Sequence, residues 1–387
     1  MIKELFKTFV LAAGILALAA CNEVGAADEA KDAASKLVIN VNAGLGTKAT
    51  TDVLAGEEAI RDIQIYIFRQ SDNSLYRKID TVFSTTQSRS AVRLEEYINA
   101  DEEYYVAALV NGYAANPQCV YNNILSPREL RQQVVRLASS VPGTFFTMYG
   151  ETDGLSGSSR PVRVEVGKTA NVNVTVTRFV SRVRLLTVKN QLPEAYGKLD
   201  VEKVFVINAC SRWNIGGDGT VVGQFNWSGS GNVSQRIIAS ANDAVYAEDN
   251  TTYAYGVHTY REQKTEIQNG VTHEFMSGGE RSWPFYVFPN ATADDSGSDS
   301  FRGSIGMGMQ ACTRLVVYAS FQKGGETVRY YYPVSIPAME RNRSYDVNLL
   351  ITGFGSEHPN KEPEKGAMSV SLSVKDWEEG KVIDQEY

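Results

Sequence analysis

The chain has 387 residues, 43% of them hydrophobic and 21% charged, the balance of an ordinary globular protein. Its 38 basic residues against 45 acidic ones leave a net charge of −7, which argues against a nucleic-acid-binding surface. Four cysteines and three histidines, none clustered, exclude a disulfide framework and a zinc site by spacing, and no cofactor is implied.

The N-terminus reads as an export signal. Lys3 and Lys7 precede an apolar run from Thr8 to Ala20, which is too short for a permanent membrane span. Leu18-Ala19-Ala20-Cys21 resembles the lipobox of bacterial lipoproteins, in which the cysteine thiol receives a diacylglycerol and becomes the new N-terminus. Residues 1–20 are therefore expected to be a signal peptide. Asn22 to Ser35 is rich in Ala, Asp, Glu and Lys and buries too little to order itself, so it reads as a tether. About 340 residues remain beyond it, enough for two domains.

Alternation at period two then dominates, the mark of half-buried strands. Leu37, Ile39 and Val41 share one face of Leu37 to Asn42, and Ile63, Ile65 and Ile67 share one face of Ile60 to Phe68. Tyr104 to Val110 is a nearly continuous apolar run closed by the turn pair Asn111-Gly112. A helix is predicted over Ser126 to Ala138, with Ser126 as cap, Pro127 in the first turn and Leu130, Val134, Val135 and Leu137 as its apolar stripe. Val162 to Val166 and Asn171 to Val176 alternate on either side of a turn at Gly167-Lys168. A break near Thr177 starts a second series: Arg178 to Leu185, Val201 to Asn208, Ser282 to Pro289, Leu315 to Gln322 and Val328 to Ile336. Many short strands with little helix indicate an all-β chain of two sandwiches in tandem.

The C-terminal segment is the most telling. Met368, Val370, Leu372 and Val374 alternate with serine, and a second short strand centred on Val382 and Ile383 follows. The preceding Gly353 to Gly366 holds two prolines and three glycines and reads as a flexible arm. Such a strand suits either of two partners: an empty slot in another sheet, or its own domain.

Glu340-Arg341-Asn342-Arg343-Ser344-Tyr345-Asp346, continuing to Ile351-Thr352-Gly353, resembles an "ERN-x-x-YD-x-x-L-x-ITG" stretch of the Bacteroidales major fimbrial subunits, the fimbrillins of type V pili. The strand ending in Val374-Lys375-Asp376-Trp377, the segment Arg178 to Leu185, and Thr47-Lys48-Ala49-Thr50 behind the lipobox are similar too. The resemblance spans nearly the whole chain and is weak over Asp218 to Gly308.

It implies transthyretin-like sandwiches and a route of assembly. A lipoprotein precursor, lipidated here at Cys21, reaches the outer membrane, where a trypsin-like protease cuts after a basic residue. The matching bond lies between Lys48 and Ala49, with lysine where the family has arginine; Arg61 is the nearest arginine. Cleavage removes the strand with Leu37, Ile39 and Val41, and a donor strand from another subunit, Met368, Val370, Leu372 and Val374, fills the slot. The implied divisions are a pro-segment at 21–48, domains at 49–177 and 178–353, and an extension at 354–387. The implied partners are other copies of the chain and other pilins in a fibre at the cell surface. Rival readings are an anchor or tip adhesin of the same pilus, or a glycan-binding surface lipoprotein using Trp213, Trp227 or Trp283. A calcium loop at Asp294 to Asp299 and a dinucleotide loop at Gly303 to Gly308 are disfavoured, and no catalytic constellation stands out, so an enzyme is not expected.

Overall fold

The computed structural model describes residues 34–43, 59–83, 91–112, 121, 123–136, 145–152, 160–207, 212–216, 260–275, 284–290, 313–336, 338–357, 361–376 and 379–386. The first half carries β1 (Lys36–Ala43), β2 (Asp62–Arg69), β3 (Leu75–Val82), β4 (Ala91–Tyr97), β5 (Glu102–Val110), α1 (Pro127–Gln132), β6 (Val134–Arg136), β7 (Met148–Glu151), β8 (Val162–Val164) and β9 (Thr169–Arg178). Eight of these strands form one sheet in the order β3-β2-β5-β7-β9-β1-β4, with β8 added to β5. The expected two layers are thus joined through β9, and the sheet wraps over its own core. An ion pair between Arg77 of β3 and Glu96 of β4 links its two ends.

The alternation in sequence explains that core. Leu37, Ile39 and Val41 meet Ile63, Ile65, Ile67, Val106, Val110, Val172 and Val174, all but Val172 (4%) no more than 1% exposed. At the end of β5, Asn111 adopts φ 58° and is fully buried. Its amide donates to Ala59 O and Phe146 O, each at 2.7 Å, and its Oδ1 accepts from Arg61 N at 2.7 Å. Asparagine tolerates this left-handed backbone and satisfies the loop it turns.

The helix is shorter than expected. Ser126 caps it and Pro127 opens it, but it stops at Gln132, and Val134–Arg136 is strand β6. The β-branched pair Val134-Val135 favours an extended chain, and a partner strand from the second half takes it up.

The second half carries β10 (Ser181–Asn190), β11 (Leu199–Ile207), β12 (Arg212–Asn214), β13 (Tyr260–Ile267), β14 (Thr272–Glu274), β15 (Pro284–Val287), β16 (Thr313–Lys323), β17 (Glu326–Ile336), β18 (Arg343–Ile351), β19 (Met368–Asp376) and β20 (Glu379–Glu386). One sheet runs β14-β10-β18-β19-β20 with β15 beside β10; another runs β13-β11-β16-β17. They face each other over a core that includes Val183, Leu185, Val204, Val317, Tyr332, Val347 and Leu349. Bulges at Leu185/Thr187 and Val201/Lys203 each insert one residue, which keeps Val188 and Val204 in phase with the core.

A third apolar cluster joins the halves. Tyr66, Phe68, Leu109, Leu130, Val135, Phe146 and Tyr149 pack with Phe179, Trp213, Ile215, Tyr286 and Phe288. β6 pairs with β12 across this junction.

One close approach gives a direct test of the first sheet. A Cβ on Gly150 would lie 2.0 Å from Thr175 O and 3.1 Å from Val176 Cα, both backbone atoms of β9. Gly150→Ala is expected to cost roughly 1–3 kcal/mol or more, read as a lower denaturation midpoint. An unchanged midpoint would mean that β7 does not cross β9 so closely.

Candidate functional site

Two features stand out, one in each half. In the first, β1 lies between β9, to which it is parallel, and β4, to which it is antiparallel. Leu37, Ile39 and Val41 are 0% exposed. On the opposite face, Asn40 Nδ2 donates to Asn173 Oδ1 at 3.1 Å and Asn42 is exposed. Ser35, which the sequence placed in the tether, is instead buried. Its carbonyl accepts from Ile98 N at 3.1 Å and its hydroxyl from Gly167 N at 2.9 Å. Lys36 ion-pairs with Glu95, whose carboxylate holds the ammonium above the usual lysine range. Among the described residues, β1 is the only strand to which β4 is hydrogen-bonded.

In the second half, β19 is bonded to β18 on one side and β20 on the other, over nine and eight residue pairs. Met368, Val370 and Leu372 are 2–3% exposed in the core of their own domain, and Val374 packs against it half-buried. The intervening Ser369, Ser371 and Ser373 take the other face. The alternation thus has a partner within the same chain, and β20 is the outer strand.

The segment read as a flexible arm is pinned at its base. Thr352 N and Gly353 N both donate to Ala367 O, at 3.0 and 2.9 Å, and Thr352 Oγ1 donates to Gly366 O at 2.8 Å. Tyr331 and Ser356 exchange backbone hydrogen bonds of 2.8 and 2.7 Å along the edge of β17. Glycine lets Gly355 approach this edge, because a Cβ there would sit 2.4 Å from Tyr331 O.

The motif around Glu340 to Asp346 proves to be a clamp on the junction of the halves. Asn342, at φ 55°, donates its N–H to Val180 O at 3.0 Å, and its Oδ1 accepts from Arg178 Nη1 at 3.0 Å. The Arg341 guanidinium stands 5.6 Å from the Phe179 ring centre; burial pushes its pKa down to about 10. Tyr345 Oη accepts from Glu340 N at 2.7 Å. Deeper in, Asp346 takes Arg184 Nε and Nη2 at 2.6 and 2.7 Å, with both side chains at most 3% exposed. Arg182 Nε donates to Ser344 Oγ at 3.1 Å, and that hydroxyl donates to Asp346 Oδ1 at 3.2 Å. The two stretches singled out in the sequence, Arg178 to Leu185 and Glu340 to Gly353, are therefore one structure: β10 and β18 are parallel neighbours. Sequence separation hid this pairing; the matching Arg-x-Arg and Ser-x-Asp alternation was its only trace.

Cys21, Lys48 and Ala49 lie outside the described residues, as do Trp227, Trp283 and the segments 294–299 and 303–308. Arg61 is described, and its backbone is engaged on both sides: its N–H by Asn111, its carbonyl by Phe83 N at 2.8 Å. Trp213 is 4% exposed in the cluster between the halves, so it forms no sugar platform.

No family model and no curated protein matches the sequence. Solved structures do match. The fold is that of bacterial fimbrial and cell-adhesion proteins of the Bacteroidales, the group that the sequence motifs resemble. A fimbrilin from Porphyromonas gingivalis W83 superposes with a TM-score of 0.54 at 14% identity, covering 90% of this chain and 99% of its own. A candidate cell adhesion protein from Bacteroides eggerthii gives 0.53 at 14% identity, covering 89% of this chain and 96% of its own. Another from Parabacteroides distasonis gives 0.54 at 13%, covering 88% and 96%.

Proposed function

We propose that this chain is a structural stalk subunit of a surface pilus, exported as a lipoprotein precursor and polymerised by strand exchange. The observation that carries this reading is the position of β1. A strand that precedes the expected cut supplies three fully buried side chains to the core and joins β9 to β4. Taking it away leaves two unpaired backbone edges flanking an apolar slot, a template for another strand. The same fold in a fimbrilin supports the assignment.

In this scheme Cys21 carries the lipid that holds the precursor at the outer membrane, and a trypsin-like protease cuts between Lys48 and Ala49. The strand Met368 to Val374 of another copy, or of a related pilin, then enters the slot. Its four alternating apolar residues match the period of Leu37, Ile39, Val41 and Ala43, the four β1 side chains buried in that core. Four such side chains contribute roughly 6–12 kcal/mol before ordering costs. Contacts of this head-to-tail kind do not close, so they build a filament. The donor must first leave β18, and β20, which among the described strands is bonded to β19 alone, leaves with it.

Trypsin-like treatment of the purified precursor is expected to give a chain beginning at Ala49 that forms fibres visible by electron microscopy. Lys48→Gln should block both. Fibres formed equally fast by the uncut Lys48→Gln protein would refute the scheme.

A further inference from the structure

The architecture around β1 points to a second consequence of its loss. We propose that β4 closes onto β9 once β1 is gone, so that the freshly processed subunit holds its slot shut until a donor strand pries it open. This rests on the removal of β1 argued above.

Three observations carry it. First, β4 is a terminal strand whose only hydrogen-bonded neighbour among the described strands is β1. Removing β1 strips β4 of every ladder bond and leaves the facing edge of β9 equally bare, and unpaired backbone groups in a half-buried setting are costly. Second, the polarity is already right. β4 runs antiparallel to β1 and β1 parallel to β9, so β4 and β9 are antiparallel to each other.

Third, the register is right as well. Through Ile39, Leu94 stands in line with Val172; through Val41, Val92 stands in line with Val174. Val92, Val172 and Val174 are buried in the core that also receives Ile39 and Val41, and Leu94 packs against it half-buried. A sideways step of one strand spacing, about 4.8 Å, brings β4 against β9 with apolar residues still inward and no slip.

The C-terminal end of β4 is tethered independently of β1. Glu96 is ion-paired to Arg77, Ile98 is buried, and the Asn99 carbonyl accepts from Tyr104 Oη at 3.0 Å. The other restraint there, the bond from Ile98 N to Ser35 O, departs with the pro-segment. β4 is thus a flap hinged near Ile98, and closing it leaves smaller apolar contacts than β1 gave. The closed form is one that a donor strand can outcompete.

Arg93 and Asn173 test the idea. Both are exposed and lie on either side of Asn40 in the sheet. With β1 between them their Cα atoms are two strand spacings apart, about 9.5 Å, beyond the ~4.4–6.8 Å a disulfide spans. As adjacent antiparallel neighbours they would be at about 4.5–5.5 Å, within that range. The Arg93→Cys/Asn173→Cys variant of the full chain, with a specific protease site placed within residues 44–48, makes removal of β1 independent of the natural cut.

Under mild oxidation the uncut double variant should form no disulfide between positions 93 and 173. The cut monomer, with loss of the pro-segment verified by mass spectrometry, should form it, located by peptide mapping. The linked monomer should lose fibre growth, and reduction should restore it. Absence of the link in the stripped monomer, or its presence before cutting, would overturn the closure of β4. A link that forms while fibre growth continues at the unlinked rate would uphold closure and instead overturn the use of this slot in assembly.

Discussion

Replacing Asp346 by alanine is expected to lower the stability of the second half by roughly 3–5 kcal/mol, because it strands a buried guanidinium. Arg184 is 3% exposed and its two hydrogen bonds to Asp346 run between the parallel strands β10 and β18. With alanine at 346 the cation keeps its desolvation penalty and loses its counter-charge. Arg182 and Ser344 sit in the same hydrogen-bonded group, so the loss spreads to them. The double replacement Arg184→Met/Asp346→Leu behaves differently. It removes both charges at once and is expected to lose clearly less than the single variant, although Ser344 still loses its acceptor. Chemical denaturation of the single and double variants checks this. If the single variant loses as little as the double, the pair is not buried between β10 and β18.

The second large effect separates the two strands of the candidate site. Ile39→Ala and Leu372→Ala each remove a buried aliphatic side chain, at 0% and 2% exposure. Each should cost the precursor about 2–5 kcal/mol. After processing the two diverge. On the proposed route residue 39 leaves with the pro-segment, so the Ile39→Ala subunit should form fibres as resistant to denaturant as the wild type. Leu372 packs beside β18 in the monomer and, on the proposed route, is used a second time in the slot of a neighbour. Leu372→Ala fibres should dissociate at lower denaturant concentration. Measuring precursor unfolding and fibre dissociation for both variants decides the matter. Fibres of both variants with equal resistance would mean that Met368 to Val374 is not the donor. If Ile39→Ala weakened the fibre, β1 would be part of the mature subunit.

Most strands are legible in the amino-acid sequence. Leu37 to Asn42, Ile60 to Phe68, Tyr104 to Val110 and Met368 to Val374 announce themselves because a strand half-buried in one sheet must alternate. The helix announces only its start, because Ser126 and Pro127 act locally, whereas its end at Gln132 depends on β12 arriving to pair with Val134–Arg136. The phase shifts in β10 and β11 are likewise invisible in sequence, since a bulge is defined by the neighbouring strand.

The removable strand and the C-terminal strand can be nominated from periodicity and family resemblance, but their surroundings cannot. Alternation says that Leu37, Ile39 and Val41 share a face; it does not say that, among the described strands, β4 is bonded to that strand alone. It says that Met368 to Val374 seeks a sheet, and leaves open which one. The sequence by itself determined the all-β character, the positions of the strands that alternate or run apolar, and the lipobox-like start, since these follow from side-chain periodicity and local chemistry; β3, β4 and β7 carry no such mark and emerged only in the structure. Only the tertiary structure decided that Glu340 to Asp346 clamps the junction of the halves and that Trp213 lies in that junction. It also decided that β19 is seated in its own domain. Each of these depends on which distant segments share a sheet, and the pairing of backbone edges leaves no periodic mark on either partner alone.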